Sequence, residues 1–185
     1  FIEREEKHDI VLLHENEKDI YGDISSRCLT IFKEVGSEHF KGIFDFANFV
    51  QCMEDTRECY ELLKEYIVYY HIKDAVKEDK ENVWLGTGQG KIEEILTDAI
   101  KNGYKGFLTL EPHLAIFDSL KDLELEDVNN IIKKDKGLDG KSAYALQYNS
   151  LVNILKSIDF RLKKIGGENM KQVRFGIVGI GQMGG

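Results

Sequence analysis

The chain has 185 residues, a net charge of −8 and a 42% hydrophobic fraction, a composition typical of a globular domain with its own core. The acidic balance argues against non-specific binding to nucleic acid or to an anionic membrane, which needs clustered basic residues. No apolar run approaches the roughly 20 residues of a membrane span and no signal peptide opens the chain, so we expect no membrane partner. Three cysteines, with neither CxxC spacing nor an even count, suggest reduced thiols, so we expect a cytoplasmic protein.

Short apolar runs that alternate with amphipathic segments predict four strands and four helices, after a charged helix end at residues 1–9. In chain order we predict strand 10–13, helix 23–35, strand 41–44, helix 54–64, strand 66–70, helix 92–102, strand 106–110 and helix 143–158. Ser25 and Ser26 stand where side-chain oxygens cap a helix. Residues 76–82 and about 115–142 are predicted loops. Strands separated by helices imply parallel pairing with right-handed crossovers.

Each predicted strand runs into polar residues, which include Glu15, Asp45, His71 and Glu111. An open doubly wound sheet and a (β/α)₈ barrel both suit the order of elements. An open sheet gathers its ligands at one switch point, whereas all strand ends of a barrel converge on one axis, so this pattern favours a barrel. Three carboxylates and one imidazole suit Mn²⁺ or Mg²⁺, with Co²⁺ or Zn²⁺ as alternatives. Any one of these acids could instead cap a helix or pair with a lysine.

Four motifs at the strand ends carry a family resemblance. They are Leu13-His14-Glu15-Asn16-Glu17, Phe44-Asp45-Phe46-Ala47-Asn48, His71-Ile72-Lys73-Asp74 and Leu110-Glu111-Pro112-His113-Leu114. In this order they resemble the sugar phosphate isomerase/epimerase family of xylose isomerase-like TIM barrels, over about residues 1–160. The resemblance implies the C-terminal half, strands five to eight, of a (β/α)₈ TIM barrel.

The resemblance also implies a site and a reaction. One divalent metal ion would be held by Glu15, Asp45, His71 and Glu111, and the two glutamates would transfer protons on either side of a sugar or sugar phosphate. The enzyme would then be an isomerase or epimerase of carbohydrate metabolism that acts through a metal-stabilised enediolate.

Three further residues are predicted substrate contacts. Asn48 stands where several relatives place a histidine, and a neutral amide there suggests hydrogen bonding to substrate. Lys73 could hold an oxyanion or phosphate, or it could pair with Asp74 in a salt bridge. His113 could contact substrate or support another residue of the site. The glycine-rich residues 86–90 resemble a phosphate cradle in composition, but no P-loop Lys-Ser follows them.

Other functions stay open on sequence alone. A lyase of the inosose dehydratase type would use the same site. A nuclease related to endonuclease IV would bind three metals with more histidine and aspartate ligands. A non-catalytic barrel would bind sugar without turnover. An NAD(P)-dependent oxidoreductase is suggested by the end of the chain.

We expect residues 1–165 to form a partial barrel and residues 166–185 to form a linker followed by a truncated Rossmann start. In the latter, Gly179, Gly181 and Gly184 form a G-x-G-x-x-G turn after a predicted strand, which resembles the opening of Gfo/Idh/MocA-type oxidoreductases. No helix or acidic residue follows, so no working nicotinamide cofactor site is predicted. Four strands instead of eight, and Phe1 in place of methionine, lead us to expect a missing N-terminal half. We therefore expect this chain alone to fold poorly or self-associate as a homo-oligomer, and to be inactive as a fragment.

Overall fold

A computed structural model describes residues 10–111, 113 and 140–164 of the chain. The elements are β1 (Leu12–Glu15), α1 (Ser25–Val35), β2 (Phe40–Asp45), α2 (Phe46–Gln51), α3 (Thr56–Leu63), β3 (Ile67–Ile72), β4 (Asp74–Ala75), β5 (Asn82–Val83), α4 (Ile92–Lys101), β6 (Phe107–Leu110) and α5 (Gly140–Lys164). The predicted alternation of strands and helices is confirmed. The predicted helix end at 1–9, the loop up to residue 139 and the Rossmann-like tail lie outside the described residues.

Strands β1, β2, β3 and β6 form one parallel sheet in that order. The strands pair with Glu15 beside Ile43, Asp45 beside His71, and His71 beside Thr109. This register aligns the carboxyl ends of the four strands along one edge of the sheet. The architecture is an α/β fold with a parallel sheet, consistent with a fragment of a TIM barrel. The assignment of these four strands to strands five to eight of a barrel stays a prediction.

One face of the sheet is covered by helices, because alternate strand residues are apolar and large. Phe44, which is 0% exposed, lies at the centre of this core, with its ring 5.0 Å from those of Phe46 and Phe49 and 5.9 Å from that of Tyr70. The remaining buried side chains of the core include Cys28, Phe32, Cys59, Tyr60, Leu63, Ile72, Ile95, Leu96, Leu108, Leu110, Leu151, Leu155 and Ile158. The core thus holds the strands from behind and leaves their opposite face for the site.

The opposite face of the sheet carries exposed apolar residues in the part of the chain that the structure describes. Leu13 of β1 is 37% exposed and Phe107 of β6 is 47% exposed. Large apolar residues on an uncovered sheet face favour association with another surface. The expected self-association of the chain stays a prediction, and these two residues support it.

Helix α1 begins differently from the prediction. Its N-cap residue is Ile24, which makes no side-chain capping bond. The carboxylate of Glu54 caps the helix instead, since it accepts hydrogen bonds from the Ser25 backbone N–H at 2.5 Å and from the Ser25 hydroxyl at 3.2 Å. The predicted serine cap is therefore wrong, and a tertiary contact from the loop between α2 and α3 replaces it.

Three elements were not predicted. Helix α2 has all six residues buried, so it shows no apolar and polar alternation at helical spacing. Strands β4 and β5 form a small antiparallel pair within a segment predicted largely as loop. Helix α2 follows directly from the end of β2, and β4 begins two residues after the end of β3.

Helix α5 is longer than its prediction and starts three residues earlier. It buries a polar residue, Gln147, whose side-chain carbonyl accepts a hydrogen bond from the Leu85 backbone N–H at 3.0 Å. An ion pair at 3.0 Å joins Arg161 of α5 to Glu93 of α4. None of the helices in the described ranges is both long and apolar enough to cross a membrane.

Candidate metal centre

The four predicted ligand residues converge at the carboxyl edge of the sheet. Glu15, Asp45, His71 and Glu111 each offer one ligand atom, and these atoms lie within 4.8 Å of one another. Glu15 and Asp45 end β1 and β2, His71 is the penultimate residue of β3, and Glu111 directly follows β6. The side chain of Asp45 is 0% exposed, whereas those of Glu15 and Glu111 are 27% and 33% exposed. The cluster is therefore closed behind Asp45 and open towards the two glutamates.

His71 lies between the two glutamates. Its Nδ1 is 2.8 Å from Glu15 Oε1 and 3.4 Å from Glu111 Oε1. Burial lowers the pKa of His71, but the hydrogen bond to Glu15 and the charges of Glu111, Glu15 and Asp45 raise it, and the net shift is upward. The imidazole thus bridges two carboxylates that would otherwise repel each other at close range.

Asp45 provides the test of whether the cluster suits a cation. Its Oδ1 accepts a hydrogen bond from the Asn48 backbone N–H at 2.8 Å, whereas its Oδ2 is buried and accepts no well-aligned hydrogen bond. Burial raises the pKa of Asp45 to about 6, against the opposing effects of Lys73 and the Asn48 amide. Asp45 Oδ2 faces the Lys73 ammonium at 3.1 Å, so this buried oxygen already attracts a cation. Together with two further carboxylates and an imidazole it forms a donor set that fits a hard or borderline divalent cation.

Asn16 holds two of these strand ends together, and the sequence prediction missed it. Its side chain is 2% exposed; its Oδ1 accepts a hydrogen bond from the Asp45 backbone N–H at 2.9 Å, and its Nδ2 donates one to the Asp45 carbonyl at 3.0 Å. The Asn48 side-chain Nδ2 donates to the Asn16 carbonyl at 2.9 Å. An amide between two acids directly after the β1 glutamate was the available signal. Asn16 fixes Asp45 relative to Glu15.

Lys73 is drawn into the cluster. Its side chain is 6% exposed, with Nζ 3.1 Å from Asp45 Oδ2 and 3.9 Å from Glu111 Oε2. Burial lowers the pKa of Lys73, but the charges of Asp45 and Glu111 raise it, and the net shift is upward. The alternative of a salt bridge to Asp74 is wrong, because the Lys73 ammonium pairs with the site and Asp74 has other partners.

Asp74 is enclosed by backbone amides. Its Oδ1 accepts hydrogen bonds from the Ala75 and Gly90 N–H groups, both at 3.0 Å, and its Oδ2 accepts from Gly86 at 2.9 Å and Gly88 at 3.0 Å. A Cβ atom added at Gly88 would lie 2.3 Å from Asp74 Oδ1, which explains the need for glycine there. These amides of the glycine-rich loop thus bind a carboxylate of the same chain. They are not free to bind the phosphate that the loop composition suggested.

The other two predicted substrate contacts, Asn48 and His113, differ in solvent exposure. Asn48 is 1% exposed, and its side-chain amide nitrogen is used by the Asn16 carbonyl. His113 is half-exposed, with Nε2 4.0 Å from Glu111 Oε2. Burial, with the charges of Lys73 and Lys18, lowers the pKa of His113 to about 4. The contacts of Asn48 show a bracing role, whereas His113 stands at the open side, where a substrate would meet it.

A tyrosine and a threonine extend the site along the same sheet face. The Tyr69 hydroxyl lies 2.5 Å from Thr109 Oγ1, and the Tyr69 ring contacts the His71 ring edge-on at 5.6 Å. Each of the two residues precedes a ligand residue by two positions, so strand alternation places them on its face. Tyr69 and Thr109 were not predicted, although strand alternation in the sequence was the signal that could have identified them.

Solved structures with the same fold were found by comparison. They include a D-tagatose 3-epimerase-like protein (18% identity, TM-score 0.63, covering 87% of this chain and 52% of that chain) and an L-ribulose 3-epimerase (15%, 0.64, 92% and 55%). A third is a xylose isomerase-like TIM barrel protein from Mycobacterium smegmatis in complex with magnesium (17%, 0.58, 84% and 47%). The chain thus spans about half the length of these proteins, and the likeness at such identities shows the fold.

Comparison with curated proteins gives no match. A family model described as xylose isomerase-like TIM barrel matches residues 1–133, which include every strand of the parallel sheet. On that match, the chain belongs to the xylose isomerase-like TIM barrel family.

Proposed function

We propose that this chain carries the metal-binding and proton-transfer residues of a divalent-metal-dependent sugar or sugar phosphate isomerase or epimerase. The observation that carries the proposal is the convergence of Glu15, Asp45, His71 and Glu111 within 4.8 Å at the ends of four neighbouring parallel strands. The solved structures named as a D-tagatose 3-epimerase-like protein and an L-ribulose 3-epimerase support the substrate class.

The four residues would hold one divalent ion. Bound there, the ion would supply positive charge that stabilises the developing negative charge on the oxygens of an enediolate. We propose Mn²⁺, Mg²⁺, Co²⁺ or Zn²⁺, since three carboxylates and one imidazole suit all of them. The magnesium complex of the Mycobacterium smegmatis protein supports a divalent ion in this fold.

Proton transfer is assigned to Glu15 and Glu111. Both carboxylates lie on the open side of the cluster, and His71 Nδ1 stands between them at 2.8 and 3.4 Å. One glutamate, as a carboxylate, can remove the proton next to the substrate carbonyl, and the other, as a carboxylic acid, can deliver its proton to the opposite face of the enediolate. The imidazole would keep the two carboxylates apart and oriented, while Asp45, fully buried, has no access to substrate.

Substrate contacts are assigned to the open rim. His113 is exposed beside Glu111 and can donate to a sugar hydroxyl. The Lys73 ammonium can hold a substrate oxyanion or phosphate if it leaves Asp45. Asn48 is kept as a substrate contact, although its present hydrogen bond to Asn16 favours a bracing role.

Two linked measurements test the proposal. The purified chain is first analysed for bound metal by mass spectrometry, and about one ion per chain is expected. Since the chain alone is expected to be inactive, it is then fused to the N-terminal half of the L-ribulose 3-epimerase, of which it covers 55%, so that a whole barrel is present. This fusion is incubated with Mn²⁺ and a panel of ketoses and ketose phosphates in D₂O, where NMR should show deuterium entering next to the carbonyl. Loss of water from an inosose-type substrate would instead favour the dehydratase.

Matched variants make the assay specific. Glu111→Gln should bind metal more weakly and lose deuterium exchange by at least about 100-fold, since a general acid–base group contributes about 10²–10⁴-fold. Glu94→Gln is the control, because Glu94 is exposed on α4 away from the cluster. Equal exchange in the two variants would refute the assignment of Glu111, and absence of metal from the unaltered chain would refute the metal-dependent function.

A further inference from the structure

Lys73 is a cation already built into the acidic cluster. Two positions after His71, it lies on the same side of the chain as the predicted ligands, and its ammonium turns back towards them. Nζ stands 3.1 Å from Asp45 Oδ2 and 3.9 Å from Glu111 Oε2, with the side chain 6% exposed. It therefore contacts two of the four residues that would hold a metal ion.

The pairing with Asp45 gives Lys73 a role without metal. Asp45 is fully buried, and its Oδ2 accepts no well-aligned hydrogen bond. Among the described residues, the Lys73 ammonium is the positive charge that faces this oxygen. A carboxylate buried without a counter-charge is strongly unfavourable. Lys73 thus balances the charge of Asp45 when no divalent ion is bound.

A divalent ion that binds to Asp45 would be repelled by the Lys73 ammonium. An ion bound through Asp45 Oδ2 would face the Lys73 ammonium at close range, and like charges in a buried site repel strongly. The neighbouring Asp74 cannot receive the displaced ammonium, because both of its oxygens are taken by backbone amides. The open direction is towards Glu111, which is 33% exposed and borders the substrate side of the cluster.

We propose that Lys73 is an internal counter-ion of the metal centre, and that a divalent cation binds by displacing its ammonium from Asp45 towards the substrate side. This inference rests on the proposed metal site. It couples metal binding to release of the cationic group that would hold a substrate oxygen. Lys73 would thus contact the substrate directly once metal is bound, with Asp45 as its partner before metal binding.

Mn²⁺ affinity, measured by isothermal titration calorimetry, tests the proposal with Lys73→Met, which keeps the aliphatic stem and removes the charge. We expect Lys73→Met to bind Mn²⁺ at least tenfold more tightly than the unaltered chain, and to melt at a lower temperature without metal. Lys91→Met is the control, because Lys91 pairs with Asp55 at 2.6 Å on the surface, and its removal should leave Mn²⁺ affinity unchanged. Unchanged or weaker binding in Lys73→Met would overturn the proposal.

The outcomes separate this proposal from the proposed function. Binding of Mn²⁺ by Lys73→Met but not by the unaltered chain would support the counter-ion and overturn the metal-dependent function. Binding by neither would overturn both. If Lys73→Met does not fold, acetylation of lysines in the unaltered chain provides the answer. Lys73 should be protected without metal and become reactive as Mn²⁺ saturates the site; continued protection at saturating Mn²⁺ would overturn the displacement.

Discussion

Replacing Asp74 by asparagine should destabilise the fold by about 3 kcal/mol. The substitution keeps the shape of the side chain but turns one acceptor oxygen into an NH₂ group. Each carboxylate oxygen of Asp74 accepts two backbone N–H groups, so the new NH₂ would face two donors and lose two hydrogen bonds. Hydrogen bonds to a charged group contribute about 1.5–3 kcal/mol each, which gives a loss of about 3–6 kcal/mol.

Removal of a buried charge offsets part of this loss of stability. Burial of Asp74 raises the pKa of its carboxyl group despite the four amide hydrogen bonds, so the neutral asparagine no longer carries the cost of a buried charge. The lower end of the range, about 3 kcal/mol, is therefore expected. The same loop should also respond to Gly88→Ala, because an added Cβ would lie 2.5 Å from the Ala75 carbonyl oxygen.

Urea unfolding, followed both by circular dichroism and by the fluorescence of Trp84, measures the effect. Trp84 is the single tryptophan of the chain and lies two residues before the glycine-rich loop, so its signal also reports local opening. Asp159→Asn is the control, because Asp159 pairs with Lys163 on the surface of α5 and such pairs contribute at most about 1 kcal/mol. A change below about 1 kcal/mol for Asp74→Asn would refute the argument that the loop is organised around this carboxylate.

Three further predictions test other parts of the fold by urea unfolding. Asn16→Ala should cost about 2 kcal/mol, because it leaves a backbone N–H and a carbonyl of β2 without their side-chain partner, and an unchanged midpoint would contradict this. Asp55→Ala should cost about 1 kcal/mol at pH 7 through loss of the α3 cap. The hydrogen bond from Lys91 lowers the pKa of Asp55 below 3.8, so this contribution is complete above about pH 4 and should vanish as pH falls through the lowered pKa; a gap independent of pH would contradict the assignment. Phe44→Ala should cost about 3–5 kcal/mol, whereas Phe107→Ala, at a half-exposed position, should cost far less; equal costs would contradict the assigned core.

The residues of the site were predictable because strand ends can be read from sequence. A short apolar run that stops at a charged residue places that residue at the edge of a parallel sheet, and four such runs in order predict convergence. Glu15, Asp45, His71 and Glu111 were found in this way, and the structure brings them within 4.8 Å of one another. That they hold a metal ion stays a prediction.

The partners of buried polar groups were less accessible to sequence analysis. Lys73 and Asp74 are adjacent in sequence and of opposite charge, yet Lys73 pairs with Asp45 and Asp74 binds the amides of a loop 12 to 16 residues away. The Ser25 backbone likewise binds Glu54, which stands 29 residues further along the chain. Such pairings depend on how elements meet in space, and neighbouring positions in the chain do not reveal them.

By itself the sequence determined the class of fold and the candidate ligands, since hydrophobic periodicity and strand-end charges are local patterns. The tertiary structure alone decided which cation faces Asp45, which carboxylate fills the glycine-rich loop, and how Asn16 joins two strand ends. The physical reason is that a buried polar group takes whichever partner the packed elements bring within hydrogen-bonding distance, because leaving it unpaired costs more than any local preference.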